Sequence, residues 1–233
     1  LEVLIRDIAR VEDRDRVWVE VQESLGDFHW TRRNQQNWGE AWPHYQLALD
    51  WWAGARDIEL ARAHYLAMVW RMAKPPGVER FYNYGQWGNY VPLEVLDNAL
   101  KIARAGNDKA RAHYLIAMTV RNQGGDWERR ARVPEGFEAA IQIGRSTEWY
   151  DDALFNYAEW MAGQFRQSGY DVHIDRAGNV VALPPAEGDG PLVALTAHLD
   201  TVLAPRRAEE VSIGSDGRFS GPGVSDNGAG LAA

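Results

Sequence analysis

Gly169-Tyr170-Asp171-Val172-His173-Ile174-Asp175-Arg176-Ala177-Gly178-Asn179-Val180-Val181-Ala182-Leu183 is the stretch in which the hydrophobic period of this chain changes. Tyr170, Val172 and Ile174 alternate with Asp171, His173 and Asp175, the twofold period of a strand with one face covered. Arg176 to Asn179 supplies the Gly and Asn of a tight turn, and Val180 to Leu183 resumes the apolar run. The stretch therefore predicts a β-hairpin. Composition shifts nearby as well: the chain holds 11 tryptophans, and the last is Trp160. Two modules are expected, residues 1–166 and 167–233, with a helix over about Thr147 to Ser168 as their seam.

Upstream, apolar residues recur at helical spacing: Leu1, Leu4, Ile5 and Ile8; Tyr45, Leu47, Leu49 and Trp52; Leu60, Tyr65, Leu66 and Val69. Breaks between helices are expected at Gly26-Asp27, Gly54, Lys74 to Gly77, Gly106 to Asp108 and Gly124 to Asp126. Ala61-Arg62-Ala63-His64-Tyr65-Leu66 returns 49 residues later as Ala110-Arg111-Ala112-His113-Tyr114-Leu115. Small alanines beside Tyr and Leu suit close helix pairing, and stacked pairs bury a face that no single pair can cover. The echo and the segment Trp149 to Trp160 resemble tetratricopeptide-like helical repeats. That segment and Trp42 to Met72 are also similar to the helical amino-terminal region of bacterial alpha-2-macroglobulin-like proteins.

Downstream of the hairpin, Pro184 to Gly190 reads as a surface loop and Leu192 to Ala197 as a buried strand. That strand delivers His198-Leu199-Asp200-Thr201-Val202. Gly214 to Gly217 reads as a tight turn before Phe219, and Gly221 to Gly230 as a glycine-rich loop carrying Asp226 ahead of a helix start. Side chains two apart on a strand share a face, so a histidine and carboxylates are brought to the carboxyl edge of a sheet. Neutral imidazole and carboxylate are the ligands zinc takes where thiolate is missing, and this chain has no cysteine. Gly221-Pro222-Gly223 lacks the spacing of a phosphate cradle.

Gly178 to Ala182, His198 to Val202 and Gly221 to Gly230, in that order, resemble the start of the di-zinc exopeptidase and deacylase family of peptidase T, glutamate carboxypeptidase, aminoacylase and acetylornithine deacetylase. The resemblance implies that His198 ligates one zinc, that Asp226 bridges two, and that Asp200 serves the catalytic site by orienting it. It implies a shared water of lowered pKa and a glutamate that takes its proton. That glutamate follows the bridging aspartate in the family and is not reached here. Glu209-Glu210 precedes Asp226 and reads as a solvated pair. The tail also resembles a related zinc aminopeptidase group, whose loop reads Asp-Asn-Gly-x-Gly as well.

The remaining histidines read blandly. His173-Ile174-Asp175 repeats the His-x-Asp spacing but enters a turn, so exposed polar positions are expected. His64 and His113 suit packing or interhelical hydrogen bonds, and His29 and His44 have no partner at ligand spacing. The aromatic supply of the helical region, Trp51, Trp52, Trp70 and Trp87 with Phe81, Tyr82, Tyr84 and Tyr90, is expected to pack a core rather than line a ligand groove.

A net charge of -8 and an isoelectric point near 5.3 exclude a nucleic-acid backbone as main partner, since the basic pairs Arg129-Arg130 and Arg206-Arg207 are short and sit among acids. No apolar run reaches the roughly 20 residues of a membrane helix. Leu1 falls inside an amphipathic pattern and Gly228 to Ala233 stops in the first turns of a helix, so both ends read as cut.

The expected architecture is an α-helical repeat region followed by a truncated α/β zinc-hydrolase domain. The expected activity is zinc-dependent hydrolysis of a peptide or an N-acyl amino acid, with the fragment inactive alone. The alternative is a non-enzymatic helical module that binds a protein partner, with a peptidase remnant fused to it. The first implies a cytoplasmic location, the second the periplasm or cell surface. With most of its sheet missing, the strand Leu192 to Ala197 is expected to expose an unpaired edge.

Overall fold

The computed structural model describes residues 8, 10–32, 35–73, 91–175 and 179–184, together with the backbone of 212–213 and 219–220. Among them, after a 3-10 turn at Val11–Asp13, lie seven helices: α1 Arg16–Trp30, α2 Trp38–Ala53, α3 Ile58–Ala73, α4 Leu93–Ile102, α5 Gly106–Gln123, α6 Trp127–Ile143 and α7 Tyr150–Gln167. Four short strands come next, β1 Asp171–Ile174, β2 Val180–Leu183, β3 Ser212–Ile213 and β4 Phe219–Ser220. The chain divides into two compact units, Leu1–Gly136 and Phe137–Ala233, and the division falls within α6.

In the first unit four helices, α1, α2, α3 and α6, start where a side chain satisfies an open backbone N–H, whereas α4 and α5 have no side-chain cap. Asp15 accepts from Trp18 N at 2.9 Å, Asn37 from Glu40 N at 3.2 Å, Asp57 from Leu60 N at 3.0 Å and Asp126 from Arg129 N at 2.9 Å. Gly124 ends α5 at φ 67°, a conformation that costs glycine nothing. Val19, Tyr45, Trp52, Met68, Val69, Leu96, Leu115 and Val120 fill the core. Both copies of the echo lie on helices, in α3 and α5, and Tyr65 and Leu66, like Tyr114 and Leu115, are buried.

Two expected breaks are corrected. Gly26-Asp27 lies inside α1. Gly26 is there because α2 comes close: a Cβ at this position would sit 2.7 Å from the Tyr45 ring. The break expected at Gly106 to Asp108 falls just before it, at residues 103–105, and Gly106 opens α5. Gly136 repeats the close approach in α6, where a Cβ would meet the His113 carbonyl at 2.8 Å. Gly54 and Gly124 to Asp126 do end helices. Residues 1–7 and the Lys74 to Gly77 break lie outside the described residues, and Ile8 is not helical.

In the second unit α7 packs on the hairpin. Gly169, at φ 90°, turns the chain out of the helix, and Tyr170 N donates back to the Phe165 carbonyl at 3.1 Å. β1 and β2 then pair antiparallel with Val172 opposite Ala182. Val172 is buried while Asp171 and His173 are exposed, which is the alternation the sequence predicts. Arg166 donates to the Val172 carbonyl at 3.2 Å and ties helix to strand. Asp175 closes the turn, accepting from the backbone N and the side-chain N of Asn179, each at 2.9 Å. β3 and β4 also pair antiparallel, and the turn expected between them lies outside the described residues.

Gly26→Ala should destabilise the first unit by about 1 to 3 kcal/mol, because the methyl must displace the Tyr45 ring from a filled core. Urea unfolding followed by circular dichroism checks this, and an unchanged midpoint would contradict the close approach.

Candidate functional site

His198, Asp200 and Asp226 all lie outside the described residues, as do Glu209-Glu210 and the strand Leu192 to Ala197. Among the described residues no three His, Asp or Glu side chains converge as metal ligands, and no helix is long and apolar enough to cross a membrane. The second His-x-Asp pair is an ordinary hairpin end: His173 faces solvent and Asp175 holds Asn179.

The first unit carries a polar cluster and a groove, joined by Trp52. The cluster centres on the Glu23 carboxylate, which is 8% exposed. It accepts from the Trp52 indole N–H at 2.5 Å and from Arg71 at 3.2 Å, and pairs with His64 Nδ1 at 2.9 Å. One turn along α1, Asp27 accepts from the Tyr45 hydroxyl at 2.7 Å and pairs with Arg71 Nε at 3.0 Å. Burial, with Asp27 beside it, pushes the Tyr45 phenol far above its ordinary pKa. Burial alone would lower the Arg71 guanidinium, but Asp27 and then Glu23 outweigh it and hold it above its usual value.

Each of these charges is answered by another, so the cluster locks α1, α2 and α3 together. His64 is thus the interhelical hydrogen-bonding residue that the sequence suggests. The cluster as a unit is absent from the sequence reading, although its spacing is a signal. Glu23 and Asp27 are four apart, Tyr45 and Trp52 seven apart, and His64 and Arg71 seven apart, so each pair shares one helix face.

The Trp52 ring stacks on His64 at 4.1 Å between centroids and also forms part of the wall of an open groove of about 790 Å³ between α2, α3 and α4. Trp42 and Asp50 come from α2, Tyr65 from α3, and Glu94, Asn98 and Lys101 from α4. Burial raises the Tyr65 phenol, a hydrogen bond with Asn98 opposes the rise, and the carboxylates of Asp50 and Glu94 add to it. At the other end of α4, Glu59 pairs with both Arg62 and Arg104. Trp52 therefore serves both purposes, core on one side and groove wall on the other, while Phe81, Tyr82, Tyr84, Trp87 and Tyr90 lie outside the described residues.

Two histidines with no partner at ligand spacing in the sequence do meet in space. The His29 and His44 rings lie parallel with centroids 5.9 Å apart, and His44 Nδ1 bonds Gln22 Oε1 at 2.7 Å.

Glu23→Ala leaves Arg71 and the Trp52 N–H without their shared acceptor and should cost about 3 kcal/mol in urea unfolding. His113, the other echo histidine, is held below its ordinary pKa by burial and by Lys109. The unfolded chain then binds this proton at a higher pH than the folded chain. The stability from neutral His113 is complete above the unfolded value of about 6.5 and is lost as pH falls below it. His113→Gln should flatten the dependence of the melting temperature on pH between about 7 and about 5.

No protein-family model, no curated protein and no solved structure matches this chain.

Proposed function

We propose that the tail from Tyr170 onward is the opening part of a zinc-dependent hydrolase of peptide or N-acyl amino-acid amide bonds. The observation that supports this is the ordered set Gly178 to Ala182, His198 to Val202 and Gly221 to Gly230. A single His-x-Asp is common, whereas the three in this order match the opening of the family and supply an imidazole and a carboxylate of the types a metal pair takes. In this reading His198 and Asp226 hold zinc, and Asp200 orients the site. Two zinc ions, when bound, lower the pKa of a shared water and polarise the amide carbonyl. The residues named supply two metal ligands and no general base, so by themselves they hold metal weakly and do not turn over substrate.

Zinc titration of the purified chain against a chromogenic chelator tests the assignment. His198→Ala and Asp226→Ala should each weaken binding by about tenfold or more, and Asp200→Asn by less. Affinities equal to wild type in both alanine variants would remove the hydrolase reading.

A second reading is supported by the groove: the helical region, as tetratricopeptide-like repeats of a macroglobulin-like protein, binds a protein partner. Trp42→Glu places a charge on the groove wall without touching the Glu23 cluster. A partner held by the wild-type chain in affinity capture should be lost from this variant, and identical captured sets would count against the groove.

A further inference from the structure

We infer that the groove between α2, α3 and α4 docks an extended polypeptide segment carrying a basic side chain at its Asp50–Glu94 end and an acidic side chain three positions away, at its Lys101 end. This rests on the protein-binding reading of the helical region and names the partner's chemistry. Asp50 and Glu94 both act on the Tyr65 phenol, so two carboxylates gather at that point of the lining. Neither has an ion-pair or hydrogen-bond partner among the described residues, and neither does Lys101. Glu59 serves both Arg62 and Arg104, leaving one positive charge of that trio in excess, and both arginines share the groove lining with Lys101.

The groove is thus negative at one end and positive at the other. A phosphodiester chain or a small anion meets repulsion at the first end, whereas a chain of alternating sign is complementary to both. Glu94 and Lys101 are seven residues apart on α4, about 10 Å along its axis. An extended polyproline-II segment repeats its facing every three residues and advances about 9 Å in doing so. A basic residue at one position and an acidic residue three further on therefore reach both ends from one side. The two residues between them face a lining that includes the Trp42 and Tyr65 rings, and the docking works in either chain direction.

The test uses the full chain and four fluorescein-labelled peptides of the form Gly-X-Pro-Pro-Z-Gly, with X and Z as Arg and Glu, Glu and Arg, Arg and Arg, or Glu and Glu. Fluorescence polarisation should show the two mixed-charge peptides binding alike and tighter than either like-charge peptide, with the preference fading at high salt. Lys101→Glu should weaken the mixed peptides by about three- to fivefold and favour the Arg/Arg peptide, and Glu94→Lys should favour the Glu/Glu peptide. Both residues are exposed, and unchanged melting curves would show that the variants fold. Equal affinity for all four peptides, or binding by none, would overturn the charge rule. If Trp42-dependent partner capture persisted in that case, the docking reading would stand without it.

Discussion

The carboxylate of Glu23 is the point on which the first unit turns. It sits nearly out of solvent, and a buried charge persists only where partners replace water. An indole N–H, an imidazole and a guanidinium do so, one from α2 and two from α3. These partners fix more than one helix: Trp52 cannot rotate without surrendering its hydrogen bond, and Trp52 is part of the groove wall. The shape of the groove is thus held from behind, by a cluster whose members never face its opening as a set. Gly26 makes that arrangement sterically feasible, because the Tyr45 ring occupies the space its side chain would need.

Helix existence is legible in the apolar period, since Tyr65, Leu66 and Val69 are buried as their spacing requires. The hairpin is equally legible, because alternation at Val172 and Ile174 and the Gly-Asn turn point the same way. Helix ends are less so. Gly26 reads as a break because glycine lowers helix propensity, and tertiary packing overrides that preference. Pro43 and Pro134 lie inside helices for the same reason: each forfeits one backbone bond, which burial of neighbours such as Ala41, Tyr45 and Val133 offsets.

The groove has no counterpart in the linear pattern. Its charges come from α2, α3 and α4, and which of them remain unpaired depends on rotamers that a one-dimensional pattern does not contain. The His29–His44 contact has no sequence signal either, since it arises only when α1 and α2 align. The tail is the reverse case. The zinc reading proposed for it rests on local motifs, His198-x-Asp200 and the loop of Asp226, whose residues lie outside the described ones.

The clasp of Asp175 on Asn179 spans only four positions, and α7, β1 and β2 are consecutive. Contacts so near in sequence close small loops and cost little chain entropy, so they form early. The element at the change of period therefore draws the pairings described for it from residues close in sequence, and β3 and β4 pair with each other rather than with it.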